Sequence, residues 1–308
     1  MIAFDHFLAI DWSGAKGERH HGIALAIADA AGGPPVLVDP PQRGWSRSEV
    51  MAILRDDLPP RTLVGMDLGI SLPFDDRGAF FPGWDLSPPD AKALWALIED
   101  VCVNDPHLGV SSFVDHPQAA RYFRRVGGRE GDRFHVDGAD RREGRFRVAE
   151  LAQREQNCRP VSNFNLVGAA QVGKSSLSGM RMLHALRGAL PVWPIDPLPD
   201  AGANGAGSLL VEIYTGLIAK EAVEAGAARS RAGTKLLNRG DLDAALNAFG
   251  SPAIAARAGS SPTIDDHSSD ALLAAAWLRK VAKETDRWRP QTMTPRIAAT
   301  EGWTFGAF

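Results

Sequence analysis

The spacing of apolar residues changes several times along this chain, and each change marks an element. Phe7 to Ile10 is a compact apolar run ending at Asp11, with Gly14 just beyond, and it predicts a buried strand and turn. "GIALAIADA" from Gly22 and "PVLVD" from Pro35 predict two further strands. Their short connections make the three antiparallel neighbours. "SRSEVMAILRDDL" then opens with a Ser start signal and carries Val50, Met51, Ile53, Leu54 and Leu58 at near-helical spacing until Pro59-Pro60 stops it. "TLVGMD" is a fourth strand, ending in Asp67. Two different strands thus end in an aspartate.

Further on the pattern is less regular. "SPPDAKALWALIEDVCV" predicts a helix capped by Ser87, with Pro88-Pro89 near its first turn. "SSLSGMRMLHALRGAL" predicts another, with Leu177, Met180, Leu183 and Leu186 on one stripe, and "DPLPDAGANGAG" reads as a loop. "SLLVEIYTGLIAK" predicts a strand with Glu212 in its middle, followed by a helix. In "PTIDDHSSDALLAAAWLRKVA", Thr263 or Asp265 caps a helix whose apolar side is Leu272, Leu273, Ala276 and Trp277. No internal repeat or linker interrupts this order, so one domain is expected over residues 1–308, with an Arg/Gly-rich and helical insertion at about 88–208.

Composition narrows the function classes. With 308 residues, 44% hydrophobic and 23% charged, the chain is long enough to bury a sizeable core and reads as a globular protein. A formal charge of −3 excludes a strongly basic surface overall, so any contact with nucleic acid must come from a local patch. The Arg/Gly-rich stretch Arg121–Arg147 interleaves acids with its arginines and reads first as a solvated loop. The sharper alternative is a basic arm over a phosphate-bearing substrate, with Tyr122, Phe123, Phe134 and Phe146 stacking on bases or anchoring the loop. Cys102 and Cys158 lack metal-site spacing and read as reduced thiols. No basic leader precedes the first strand, and no apolar run approaches the roughly 18 residues needed to span a bilayer. A cytoplasmic protein without a membrane partner is expected.

Two motifs carry chemistry. The stretch "GAAQVGKSS", with Gly168, Gly173, Lys174 and Ser175 in the defined places, fits a nucleotide-binding P-loop. In such a loop, backbone N–H groups and the lysine hold phosphate at a helix start. An ATPase built on it needs a buried strand before Gly168, for which "RPVSNFNLV" is a rather polar candidate, and a run of parallel strand–helix units after it. That run is lacking in the pattern. The second motif is distributed: Asp11, Asp67, Glu212, His267 and Asp270 are carboxylates and an imidazole of the types that hold hard divalent metals. His267 and Asp270, three apart, share one helix face. Structural roles compete at each position: an Asx turn at Asp11 or Asp67, an edge position for Glu212, capping by His267, and a favourable helix-dipole position for Asp270.

The pieces "AIDWSG", "VGMDLGISLPF", "VEIYTGLIAK" and "DDHSSDALLAAA", in this order and spanning nearly the whole chain, resemble the predicted nucleases grouped as domain of unknown function 429, in the ribonuclease H-like superfamily. The last piece also looks like the metal-site helix start of Holliday-junction resolvases. The resemblance implies an α/β ribonuclease H-like fold: a mixed sheet with three antiparallel strands then parallel ones, flanked by helices. It also implies a Mg²⁺- or Mn²⁺-dependent site for phosphodiester hydrolysis. Asp11, Asp67 and Asp270 would be catalytic, and Glu212 and His267 would complete the metal ligands. The glycine turn read above separately offers Lys174 and Ser175 to a phosphate, the competing role being a helix start with Lys174 merely solvated. Nucleic acid or a phosphorylated small molecule would be the partner. A non-catalytic binding domain of the same fold is the other alternative.

Overall fold

The structure, a computed structural model, describes residues 3–136, 143–167, 172–198, 207–227, 238–254 and 263–308. Among these, six strands form one mixed sheet: β1 (His6–Asp11), β2 (Ala24–Asp29), β3 (Val36–Val38), β4 (Thr62–Asp67), β5 (Val192–Trp193) and β6 (Leu209–Glu212). They lie side by side in the order β3-β2-β1-β4-β6-β5. The first three pair antiparallel, while β4 runs parallel to β1, β6 parallel to β4, and β5 parallel to β6. The four strands read from the amino-terminal pattern are all present. The edge strand β5 is an addition, because two residues give no periodicity to read.

The sheet separates two apolar cores, and the period of two along each strand decides which residue enters which. Leu8 and Ile10 of β1, with Val64 and Met66 of β4, face helices α2 (Ala91–Cys102) and α5 (Val172–Ala185). Phe7 and Ala9, with Leu63, face helices α6 (Thr215–Glu224), α7 (Arg239–Ala248) and α8 (Asp266–Val281). Packing on this second face is small against small: Ala271, Ala274 and Ala275 of α8 share a core with Ala9, Ala24 and Ala26. Gly65 of β4 lets α8 come close, since a Cβ there would lie 2.7 Å from Leu278 Cδ1. The region expected as an insertion therefore supplies α2 and α5, which pack on one face, and β5, which widens the sheet.

Local signals fare unevenly. Ser46 caps α1 (Arg47–Ala52) in a reciprocal capping box with Glu49, as its position before the apolar run predicts. Asp265, one of the two candidates, caps α8 by accepting from Ser268 N at 2.9 Å. The cap of α2 is Asp90, which accepts from Ala93 N at 2.8 Å; Ser87 instead accepts from Phe81 N. Pro88 and Pro89 bias the residues before them away from helical ψ, so the helix can start only after the pair. The stretch before α5 is not a strand of the sheet: it makes one isolated bridge, Asn165 to Arg124. The expected P-loop context is therefore not met there, and Gly168–Gln171 lie outside the described residues.

The Arg-rich stretch, described to Val136 and again from Glu143, is more internal than a solvated loop. Tyr122, Phe123 and Phe134 are buried, as are Arg145 and Arg147. Arg145 pairs with Asp76 and donates to the carbonyls of Phe80, Pro73 and Ala79. The aromatic residues thus act as anchors. Among the described residues, no helix is long and apolar enough to cross a membrane.

Candidate functional site

Asp11 and Asp67 end neighbouring parallel strands in direct register. Each is an even number of residues from its strand's inward-facing Ala9 or Leu63, so both belong to the α8 face of the sheet. Asp11 is buried and Asp67 half-buried. Burial, with the charge of Asp11 next, pushes the Asp67 carboxyl up to about 7, against a partly offsetting hydrogen bond donated by Thr215 Oγ1 at 2.9 Å. Two carboxylates at one level, one of them resisting ionisation, form a site that gains from a cation.

The start of α8 completes this corner. His267 Nδ1 donates to Asp11 Oδ2 at 2.6 Å, and that bond is the main reason the imidazole pKa is raised. A Cβ placed on Gly22 would lie 3.3 Å from Ser13 Oγ and 3.4 Å from His267 Nε2, so both atoms border the space that this glycine leaves open. Asp270 sits one turn further on the same face of α8, half-buried. A cavity of about 390 Å³ opens here, lined by Ser13, Gly14, Asp67, Tyr214, Glu212 and His267 among others.

Glu212 reaches this cavity from elsewhere. It is the last residue of β6 rather than a mid-strand residue, and it registers with Met66, on the α2–α5 face. Its oxygens accept four hydrogen bonds, two from Arg147 at 2.5 and 2.8 Å, one from Ile70 N at 2.8 Å and one from Thr304 Oγ1 at 2.5 Å. Arg147 is buried with it and also donates to Glu150 at 2.7 Å and to the carbonyl of Glu301 at 3.0 Å. Burial alone would lower the Arg147 pKa, but Glu150 and Glu212 outweigh it and raise it. Burial raises the carboxyl pKa of Glu150 and of Glu301. Glu301 closes the hub by accepting from Phe74 N, Asp75 N and Val148 N. The sequence offered one signal for this hub, the Arg147–Glu150 spacing of three at a helix start; nothing marked Glu301 as its partner.

The lysine–serine pair lies at the same corner. Gly14 packs so tightly on α5 that a Cβ there would fall 2.3 Å from Ser175 N and 2.7 Å from Lys174 Cβ. Ser175 lines the carboxylate cavity, its hydroxyl turned back to Val172 O at 2.8 Å, while Lys174 lines the cavity next to it. Burial, then the nearby Lys16, lowers the Lys174 pKa. Gly14→Ala is expected to cost about 1–3 kcal/mol by overpacking, because backbone rather than a side-chain tip must move. Urea unfolding of the variant measures it, and an unchanged midpoint would show that the close approach is dispensable.

The donor set can be weighed against a metal. Among the described residues, no group of three or more His, Cys, Asp and Glu side chains is arranged to hold an ion. Asp11 and Asp67 nonetheless provide paired carboxylates, which fit Mg²⁺, an ion that takes one or two protein carboxylates and fills its remaining positions with water and substrate phosphate. An all-protein cage that includes Glu212 does not fit, since its oxygens are engaged by Arg147, Ile70 and Thr304. Compared with known proteins, the chain matches no family model, no curated protein and no solved structure.

Proposed function

We propose that this chain is a divalent-metal-dependent phosphodiester hydrolase, nuclease-like in chemistry, built on a ribonuclease H-like sheet. The observation that carries the reading is the register of Asp11 with Asp67 at the ends of adjacent central parallel strands, where burial and mutual repulsion hold Asp67 near 7. The strand order, antiparallel on one side of β1 and parallel on the other, supports the fold reading. In open α/β sheets, ligands gather at the carboxyl ends of the strands, and these two acids stand there.

Asp11 and Asp67 would hold Mg²⁺ or Mn²⁺, with Asp270 on the adjoining helix face as a further acid. When bound, the ion supplies Lewis acidity and an activated water. The chain's own residues do the positioning. Asp11 fixes the His267 ring through Nδ1, and Thr215 fixes one oxygen of Asp67. Ser175 at the wall of this cavity and Lys174 at the wall of the one next to it, both held against Gly14, would meet a phosphate that enters between them, Lys174 supplying the charge. Arg147 locks Glu212, so the far wall stays rigid.

The test is cleavage of single- and double-stranded DNA and RNA in Mg²⁺ or Mn²⁺. Asp11→Asn is expected to reduce the rate by about 10³ or more, as removal of a group acting at the reacting centre does, while its unfolding curve stays cooperative. Cleavage at the wild-type rate in this variant would overturn the reading. The P-loop reading finds less support, because the described residues 159–167 before α5 form no strand of the sheet.

A further inference from the structure

A second cavity, of about 360 Å³, adjoins the carboxylate cavity, and the two share Gly14 and Ala15 as a common wall. Their chemistry differs. The first is rich in carboxylates, whereas the second is bordered by Lys16, Arg47, Arg125, Arg129 and Lys174 against Asp105 and Asp115. Both of those acids are engaged: Asp105 accepts from Ser112 N and Oγ at 2.8 and 2.7 Å, and Asp115 lies 3.5 Å from Arg125. Part of the wall is aliphatic, with Leu108, Val110, Val114 and Val126.

This chamber is built into the structure. Arg47 is buried and its guanidinium donates to the carbonyls of Ser13, Ala15 and His107, so one side chain ties the loop after Asp11 to the far wall. That wall holds His107 and Leu108 at φ of 57° and 53°, two successive non-glycine residues in the left-handed region. Such backbone persists where surrounding structure enforces it, and it gathers at ligand sites. Lys16 and Lys174 approach closely enough for the first to depress the ammonium pKa of the second, after burial.

We propose that this chamber is a nucleotide subsite, in which Lys16, Lys174 and Arg129 hold a phosphate and the aliphatic wall takes the base of one unit of a single strand. The assignment rests on the phosphodiesterase reading for its placement beside the bond to be cut, but not for the binding itself. The volume lies in the range of sites that enclose a small ligand. An unpaired base enters such a chamber without the cost of opening a duplex.

Calorimetry without divalent cation provides the test, using 5′-AMP, adenosine and inorganic phosphate as separate probes. AMP is expected to bind at least about tenfold more tightly than either fragment, since charge-assisted bonds and apolar burial act together. Lys16 and Arg129 are both exposed, so Lys16→Gln with Arg129→Gln is expected to leave unfolding unchanged and to weaken AMP by at least about tenfold. A short single-stranded oligonucleotide is expected to displace AMP, and the double variant to raise KM for its cleavage. AMP bound no better than phosphate, wild-type affinity in the double variant, or failure of the oligonucleotide to compete would each overturn the subsite. Cleavage lost in Asp11→Asn but with unchanged KM in the double variant would remove the subsite and leave the hydrolase reading. AMP binding as expected in a protein that cleaves nothing would do the reverse.

Discussion

Arg147→Met is expected to destabilise the chain by about 3–5 kcal/mol, the scale for breaking a buried ion pair from one side. The guanidinium is 1% exposed and makes hydrogen bonds to Glu150, Glu212 and the Glu301 carbonyl. Methionine fills the aliphatic volume but supplies no donor. Glu212 keeps Ile70 N and Thr304 Oγ1, and Glu150 keeps the Arg147 backbone N–H, yet two buried carboxylates then face one another without a cation. Burial already raises the Glu150 carboxyl pKa, and without the guanidinium it would take up a proton still more readily folded than unfolded. The loss should therefore be greater at high pH and shrink as pH falls through the range in which Glu150 protonates. Glu212→Gln should cost less than Arg147→Met, because Arg147 retains Glu150 and the carboxamide oxygen still accepts. Urea unfolding at pH 8 and pH 5 measures all three differences. A loss below about 1 kcal/mol for Arg147→Met would show that the hub is a solvated pair rather than a desolvated one.

Legibility in the sequence followed the strength of the periodic signal. The first four strands, the antiparallel pairing of the first three and the capped helices α1 and α8 could be read because apolar periodicity, short connections and start signals agreed there. The acids at strand ends could be read for the same reason: Asp11 and Asp67 each close an apolar run. Glu212 shows where such reading fails. A strand placed correctly but ended too late says little about facing, because a one-residue difference in register moves a side chain to the opposite face. The hub around Arg147 was legible only at Glu150, three residues away; Glu212 and Glu301 come from distant stretches, and contacts across such separations leave no local pattern. The approach of Gly14 to Lys174 is a packing fact of the same kind. It gives the "GKSS" stretch a place beside the acids without the strand that a P-loop requires.

Asp67→Asn is expected to move stability and activity in opposite directions. Burial and Asp11 raise the folded carboxyl pKa to about 7, so between about 4 and 7 the folded chain binds a proton that the unfolded chain releases. Stability from this group is complete below the unfolded value and is lost as pH rises through the folded one. At pH 8 the wild type bears the whole penalty of a second charge beside Asp11. Asparagine resembles the protonated acid: its oxygen can still accept from Thr215 Oγ1, and its amide brings no charge. The variant should be more stable than wild type by about 1–3 kcal/mol at pH 8, with the difference fading towards pH 4. Cleavage should fall by about 10³ or more, since the carboxylate pair that would hold Mg²⁺ is gone. The ion itself separates this account from simple relief of repulsion. A ligand that binds only the folded state raises its melting temperature, so Mn²⁺ at pH 8 should stabilise the wild type and leave Asp67→Asn unmoved. A variant less stable than wild type at pH 8 would mean that Asp67 is held by its surroundings rather than strained by them. The pair would then have no call for a cation, and Asp11 and Asp67 would be turn-forming residues at the ends of their strands.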